Sequence, residues 1–299
     1  MHLPPVRQLQ YLVALRKELH FGKAASSLSV TQSTLSTGIR ELETSLGITL
    51  VERTNRSVSF TVAGEKITDR ARYVLMQVED LVTEAKSFTD PLALPLKLGA
   101  IPTIAAFVMG NFAYVLQQAS PGLHLYIREN TTANLIAELL DNKLDLALLA
   151  LPYDVGRVET RVIYREGFHL AFHEATELVD LNSFDFDSLP DESLLLLDDG
   201  HCLRDHALAG CRLKNHKKIH TFGANSLQML LQMVDNDLGV TLVPDMALGL
   251  LNNTNIKTIR LPIEEFYRDI GFAWRKGHSR QPVLEDVMSR LEPTLVTLE

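Results

Sequence analysis

The chain has 299 residues, of which 46% are hydrophobic, so it can bury the cores of about two domains. No run approaches the ~20 apolar residues that a membrane-spanning helix needs, and the N-terminus lacks the basic start and apolar core of a secretory signal. We therefore expect a cytoplasmic protein with no membrane partner. Its two cysteines would stay reduced by default in that compartment, which argues against a structural disulfide.

Charge is distributed unevenly along the chain. The formal net charge is −8, which by itself argues mildly against nucleic-acid binding. Residues 1–66, however, hold eight Lys or Arg and five Asp or Glu, whereas residues 91–299 hold 18 basic and 27 acidic residues. A slightly basic head on an acidic body fits a DNA-binding domain joined to a domain that does not bind DNA.

Apolar residues at helical spacing predict three short helices in the first 47 residues. Thr31 is the predicted N-cap of the third helix, and Gly47 is its predicted end. The outward face of this helix carries compact hydrogen-bonding side chains, which suit base edges and phosphates in a major groove better than a merely solvated face. These residues are Gln32, Ser33, Thr34, Ser36, Thr37 and Arg40.

A hairpin and a long helix follow. Two short β-like runs, 49–52 and 58–61, flank a turn whose Arg53 and Arg56 are predicted to contact phosphate or the minor groove. From residue 63 to about 89 the apolar positions keep a heptad spacing, which favours helix pairing and a dimer. They are Ile67, Ala71, Val74, Val78, Leu81, Ala85 and Phe88. We predict a winged helix-turn-helix domain (1–62), a linker helix and hinge (63–94), and a regulatory domain (95–299).

The regulatory domain alternates apolar runs with helical patterns, which predicts α/β layers with largely parallel sheets. The predicted strands cover 96–100, 123–128, 144–149, 163–166, 194–198, 218–222, 240–243 and 270–274. Helices are predicted over 103–118, 132–141, 203–210, 226–236 and 283–297. Polar residues follow three of the strands, namely Thr103, Thr132 and the segment 198–206. Ligands of open α/β sheets bind beyond such strand ends, where helix N-termini also favour anions.

Several motifs of the first 64 residues match a known family without a gap. They run from Leu9-x-Tyr11-Leu12 through His20-Phe21-x-x-Ala24-Ala25, Thr31-Gln32-Ser33-Thr34-Leu35-Ser36, Ile39-Arg40-x-Leu42-Glu43, Leu46-Gly47 and Glu52-Arg53 to Thr61-x-Ala63-Gly64. This segment resembles the DNA-binding domain of LysR-type transcriptional regulators, although that family usually has proline where this chain has Ser33. The resemblance implies an effector domain of two periplasmic-binding-protein-like subdomains, with a cleft between them. It also implies a homo-oligomer, dimer or tetramer, with promoter DNA and RNA polymerase as partners, no cofactor and no enzymatic role.

The cysteines carry the most specific chemistry. Cys202 would lie near the first turn of the predicted helix 203–210, flanked by His201 and Arg204. A helix N-terminus and neighbouring positive charges both lower the pKa of a thiol. Cys211 would lie at the other end of roughly 12–14 Å of helix. Since a disulfide needs Cα atoms within ~7 Å, its formation would have to unwind this segment. From the residues alone, two unrelated buried thiols remain the more ordinary interpretation.

A longer motif around the cysteines resembles the peroxide-sensing LysR-type regulators. It reads Asp199-Gly200-His201-Cys202-Leu203-Arg204-Asp205-x-Ala207-x-x-x-Cys211, with further matches at Ile101-Pro102-Thr103, Gly239–Pro244 and Trp274-Arg275. The resemblance implies that hydrogen peroxide oxidises Cys202, that Cys211 resolves it, and that thioredoxin- or glutaredoxin-type reductants reset the pair. It places Thr103, Thr132, His201 and Asp205 around the peroxide and assigns Arg275 to stabilise the thiolate. His206 has no implied role and is expected at an exposed helix position.

Three other functions remain open at this point. The first is a metal sensor, because four soft ligands lie within eleven residues: His201, Cys202, His206 and Cys211. Their spacing, however, is poor for zinc. The same cleft could instead bind a small organic ligand, with the cysteines incidental, and a large apolar cavity would favour that function. A thiol peroxidase would share the chemistry, but a fused DNA-binding domain favours signalling over turnover.

Overall fold

The computed structural model describes residues 3–53, 58–87, 94–154, 156, 158–179, 186–211 and 216–296. The chain divides into two compact units, Met1–Lys86 and Ser87–Glu299. None of the helices in these ranges is long and apolar enough to cross a membrane.

The first unit is the predicted three-helix domain with a short hairpin. It contains α1 (Val6–Glu18), α2 (Phe21–Ser27), α3 (Gln32–Leu46), β1 (Val51–Arg53), β2 (Val58–Phe60) and the long α4 (Val62–Ser87). The predicted ends of α3 are confirmed: the Thr31 hydroxyl accepts a hydrogen bond from the Thr34 N–H at 3.1 Å, and Gly47 closes the helix at φ 68°. Glycine tolerates that left-handed conformation without the clash that a Cβ would bring.

The predicted wing is only partly described. Strands β1 and β2 pair antiparallel, with Val51 opposite Phe60. The side chain of Arg53 and the whole of Arg56 lie outside the described residues, so their predicted contacts with DNA stay predictions.

The heptad seam of α4 changes character along the helix. Ala71 is buried and Ile67 packs partly against the core of α1–α3. Val74, Val78 and Leu81 are 38%, 39% and 67% exposed in the single chain. The first turns of α4 therefore belong to the core of their own domain, while the later seam keeps the exposed apolar row that the predicted dimer requires.

The second unit contains the eight predicted strands and the five predicted helices, with small shifts at their ends except for the strand expected at 163–166, which is much longer than predicted. The elements are β3 (Leu96–Ala100), α5 (Pro102–Ala119), β4 (Leu125–Glu129), α6 (Thr132–Leu140), β5 (Leu146–Leu151), β6 (Val158–His173), β7 (Leu194–Leu197), α7 (Cys202–Cys211), β8 (Ile219–Ala224), α8 (Leu227–Asp235), β9 (Thr241–Pro244), β10 (Ile256–Arg260), β11 (Tyr267–Arg275) and α9 (Gln281–Val296). A 3₁₀ segment, Asp245–Leu251, follows β9.

The expectation of largely parallel sheets is wrong. Parallel pairing joins β3 to β4, β3 to β5 and β7 to β8, but β6 pairs antiparallel with β9, β10 and β11. The sequence predicted only four residues of β6, because polar residues interrupt its apolar pattern over most of its 16 residues. It missed β10 for the same reason, since Lys257, Thr258 and Arg260 break any apolar run.

Two apolar cores share strand β6, which gives the two predicted periplasmic-binding-protein-like subdomains. One core lies around β3, β5, α5, α6 and α9, and the other lies around β7, α8 and β9. The N-terminal part of β6 pairs with β11, and its C-terminal part pairs with β9 and β10. A single continuous strand thus joins the subdomains, and groups buried along it can contact both.

Candidate functional site

The Cys202 thiol lies where three helices begin. Cys202 starts α7 directly after a turn in which Gly200 adopts φ 93°, and the residue is 5% exposed. Thr103 and Thr132, in the first turns of α5 and α6, line the same small pocket together with His201. The walls leave essentially no room for a water-sized molecule. A ligand of the size of peroxide therefore needs a small outward movement of these walls.

The two threonines contact different groups. The Thr103 hydroxyl and carbonyl oxygens accept hydrogen bonds from the Arg268 guanidinium at 2.8 and 3.1 Å. The Thr132 hydroxyl lies against the Cys202 thiol and favours its charged form. It is buried and has no hydrogen bond of ordinary geometry within the described residues. Thr132 is therefore the hydroxyl with free capacity to bind a small polar ligand beside the sulfur.

Arg268 is the arginine of this site, and sequence reasoning missed it. Its side chain is fully buried and forms an ion pair with Glu166, the residue opposite it in the β6–β11 register. Glu166 also accepts a hydrogen bond from the Met246 N–H at 3.1 Å. An arginine just outside a predicted strand, with a glutamate in the neighbouring strand, was the available signal. Pairing between distant strands cannot be derived from either residue alone.

The predicted placement of Arg275 beside the thiol is wrong. Arg275 ends β11, seven residues beyond Arg268, which amounts to about 23 Å of extended strand. Its guanidinium donates to the Asn142 Oδ1 at 3.1 Å instead of approaching the thiol. The motif Trp274-Arg275 therefore marks the far end of the strand from Arg268, whose positive charge does act on the thiol.

The expectation of a lowered thiol pKa is also wrong for this conformation. Burial raises the pKa of Cys202, and the nearby Asp205 carboxylate raises it further. Arg268 and the Thr132 hydroxyl oppose this effect without overcoming it. Arg204, which was expected to help, is bound to Asp199 at 2.9 Å and to the Leu197 carbonyl at 3.1 Å. Desolvation of the thiolate outweighs the neighbouring positive charge.

The remaining predicted residues of this segment differ in their placement. His201 lines the pocket and is half-buried, whereas Asp205 is exposed and acts on Cys202 through its charge. His206 is not at an exposed position as expected. Its ring nitrogens lie 2.7 Å from the Cys202 carbonyl oxygen and 3.3 Å from that of Leu151. It therefore links the start of α7 to the end of β5.

Cys211 is the last residue of α7, and its side chain lies outside the described residues. The backbone between the two cysteines is helical throughout. Nine helical steps separate their Cα atoms by roughly 13 Å, about twice the ~7 Å limit for a disulfide.

The predicted DNA-reading face of α3 is a coherent surface. Gln32, Ser33, Thr34, Thr37 and Arg40 are exposed, and Ser36 is half-buried. On the opposite side Leu35, Ile39 and Leu42 are fully buried in the core of the domain. Where the structure describes side chains, no group of three or more His, Cys, Asp or Glu could hold a metal ion.

The raised thiol pKa predicts a steep pH dependence. Below the pKa the thiolate fraction, and with it the alkylation rate of Cys202, rises about tenfold for each pH unit. We expect the rate of iodoacetamide labelling of reduced protein, followed on the Cys202 peptide by mass spectrometry, to keep rising past the usual thiol pKa of about 8.5. A rate that levels off near pH 7 would show a lowered pKa and contradict this description of the site.

Comparisons with known proteins agree on one family. The family described as "Bacterial regulatory helix-turn-helix protein, lysR family" matches residues 6–65, and "LysR substrate binding domain" matches residues 90–295. The chain is 36% identical over 302 residues to the HTH-type transcriptional regulator EstR of Acinetobacter baylyi, covering 98% of this chain and 99% of that protein. It is 38% identical over 274 residues to the DNA-binding transcriptional dual regulator OxyR of Escherichia coli, covering 91% and 90%.

A solved structure gives the same result for the fold. A full-length OxyR variant from Pseudomonas aeruginosa superposes with a TM-score of 0.71 at 32% identity, covering 97% of this chain and 95% of that chain. The chain belongs to the LysR family of DNA-binding transcriptional regulators, and within it to the proteins of the OxyR type.

Proposed function

We propose that this regulator senses hydrogen peroxide through Cys202 and converts the oxidation into a change at promoter DNA. One observation carries the proposal: a buried thiol begins a helix that ends at the second cysteine, with two threonines and an arginine grouped around it. Relatives 38% and 35% identical to the chain are named hydrogen peroxide-inducible genes activators, which supports the same function.

The chemistry needs peroxide between the sulfur and the Thr132 hydroxyl. The Cys202 sulfur attacks one peroxide oxygen, the O–O bond breaks, and the thiol proton leaves with the second oxygen as water. The product is a sulfenic acid. Arg268 stabilises the negative charge of the attacking thiolate, because the Arg268 charge acts on this thiol. That charge passes to the leaving oxygen as the O–O bond breaks. We assign the relay of this proton to His201, which lies on the pocket wall.

The second step supplies the switch. The Cys211 thiol attacks the sulfenic sulfur, a second water leaves, and a disulfide forms. Because the helical backbone holds the two Cα atoms roughly 13 Å apart, α7 must unwind for this bond to close. The His206 contacts to the Cys202 and Leu151 carbonyls would break with it. Thioredoxin- or glutaredoxin-type reductants would restore the helix by reducing the disulfide.

DNA recognition is assigned to α3 and the wing, with two copies paired along the exposed seam of α4. Thr37 and Arg40 lie one turn apart on the exposed face of α3. Replacing Thr37 with alanine should cost about 1–3 kcal/mol on the preferred site and relax sequence preference. Arg70→Ala, which removes an exposed positive charge from α4, is the comparison for sequence-independent binding and should weaken specific and random duplexes alike. Equal losses on specific and random duplexes for Thr37→Ala would contradict base readout by α3.

The proposal is tested by selecting bound fragments from genomic DNA with reduced protein and footprinting them before and after one equivalent of peroxide. We expect a footprint that changes in extent or spacing on oxidation and returns after reduction, with RNA polymerase recruitment changing in parallel. Identical footprints and identical transcription in both states would contradict the proposed switch.

A further inference from the structure

A second cavity, of about 720 Å³, lies beside β6, away from the Cys202 pocket. Its wall includes Glu166 and His169 of β6, and Asp245 and Met246 of the 3₁₀ segment that follows β9. Arg260 of β10 and Ile263 also belong to this wall. None of these residues lines the pocket at Cys202. The volume falls within the range of ligand sites for small organic molecules, which runs from about 300 to 1,000 Å³.

The carboxylates of this wall already have their hydrogen bonds. Asp245 accepts from the Gly167 N–H at 2.8 Å and lies 2.9 Å from the His169 Nε2. Glu166 is neutralised by Arg268 and also accepts from the Met246 N–H. Neither carboxylate therefore offers a free charge to a cation entering the cavity.

The hydrogen-bonding capacity that remains is on Arg260. This residue is 66% exposed, and its ion pair with Asp245 is long, at 3.8 Å. Met246 and Ile263 supply an apolar surface on the same cavity wall. Together these residues fit a carboxylate that bonds to the guanidinium and carries an apolar body.

Residues of this cavity wall also contact the residues that surround the Cys202 thiol. Glu166 binds Arg268, and Arg268 binds both oxygens of Thr103, which lines the Cys202 pocket. Met246, whose N–H is held by Glu166, lies on the cavity wall. A ligand that moves Met246 or Glu166 therefore acts on the arginine nearest the thiol through two buried contacts.

We propose that this cavity is a second effector site that binds a small organic acid, and that its occupancy alters the reactivity of Cys202 through Glu166 and Arg268. Binding of the acid is independent of the proposed peroxide function, whereas the coupling rests on it. One regulator would then respond to two signals, an oxidant at Cys202 and a carboxylic acid in this cavity.

The test uses full-length reduced protein and two probes, 1-naphthylacetate and octanoate, each beside its neutral primary amide. Titration calorimetry should show binding of at least one acid and about tenfold weaker binding of its amide. Arg260→Ala should weaken acid binding about tenfold or more, because it removes a charge-assisted hydrogen bond. Lys257→Ala is the matched control: Lys257 lies on the same strand, is 65% exposed, pairs with Glu174 at 3.6 Å, and is absent from the cavity wall.

The coupling is read from iodoacetamide labelling of Cys202 with and without saturating acid. A twofold or larger change that disappears in Arg260→Ala would support it. If neither acid binds, or if acid and amide bind equally, the site is overturned. Binding without any change in labelling overturns the coupling. A Cys202 that stays inert to peroxide both with and without the acid would overturn the peroxide function alone and leave acid binding standing.

Discussion

Replacing Cys202 with serine should abolish the response to peroxide. A hydroxyl in this buried pocket is far less ionised and less nucleophilic than a thiol, so oxidation at this position should slow by roughly a hundredfold or more. The substitution replaces the sulfur with a smaller oxygen in a site that is already closed, so the fold should persist. The measurement is peroxide consumption by the reduced protein, followed together with the footprint on its preferred DNA.

Cys211→Ser is the matched variant for this prediction. It keeps the attacking sulfur, so the first oxidation should proceed at its usual rate and leave a sulfenic acid that dimedone labels on Cys202. The disulfide should not form, and excess peroxide should drive Cys202 to sulfinic acid. If Cys202→Ser still changes its footprint with peroxide, or if Cys211→Ser still reaches the footprint of the disulfide form, the assignment of the two thiols is wrong.

The second large effect concerns the buried pair of Arg268 and Glu166. Arg268→Met leaves the Glu166 carboxylate in the protein interior without its counter-ion, and such losses cost about 3–5 kcal/mol of unfolding free energy. It also removes the cation that lowers the pKa of Cys202. The thiolate fraction at neutral pH should fall, and with it the oxidation rate, by about tenfold for each unit that the pKa rises. Denaturant unfolding and peroxide consumption measure the two effects.

A double variant separates stability from chemistry. Glu166→Gln combined with Arg268→Met removes the unpaired charge but keeps an acceptor for the Met246 N–H, so we expect at least half of the lost stability to return. Thiol reactivity should stay low, and its pH profile should stay shifted to higher pH. Arg275→Gln should leave both the rate and the pH profile unchanged. A double variant that regained full reactivity would show that Arg268 acts only through the fold.

Much of the fold could be predicted because local signals and packing agree. Thr31 and Gly47 mark the ends of α3 by hydrogen-bonding capacity and by backbone freedom, and both are read within a few residues. The short buried strands, such as Leu194–Leu197, are equally local, because both of their faces are apolar. Strand β6 was underestimated because its exposed and buried positions change along its length as it passes from one subdomain to the other.

The site was predictable only in part, for a related reason. Cys202, Thr103 and Thr132 lie at helix starts that follow strands, so the topology of an α/β sheet brings them together. Arg268 is brought to the thiol by the antiparallel pairing of β6 and β11, which joins residues 102 positions apart. Whether the thiol pKa rises or falls depends on the balance between burial and charge, and burial is a property of the folded chain.

The most direct test of the peroxide switch is a peptide map of the full-length protein after one equivalent of hydrogen peroxide, with free thiols blocked before digestion. The proposed mechanism predicts a disulfide-linked pair of peptides that contain Cys202 and Cys211, faster proteolysis between them than in the reduced protein, and loss of both signals after reduction. Two blocked, unoxidised thiols, or a linked pair whose intervening segment stays as protected as before, would contradict it.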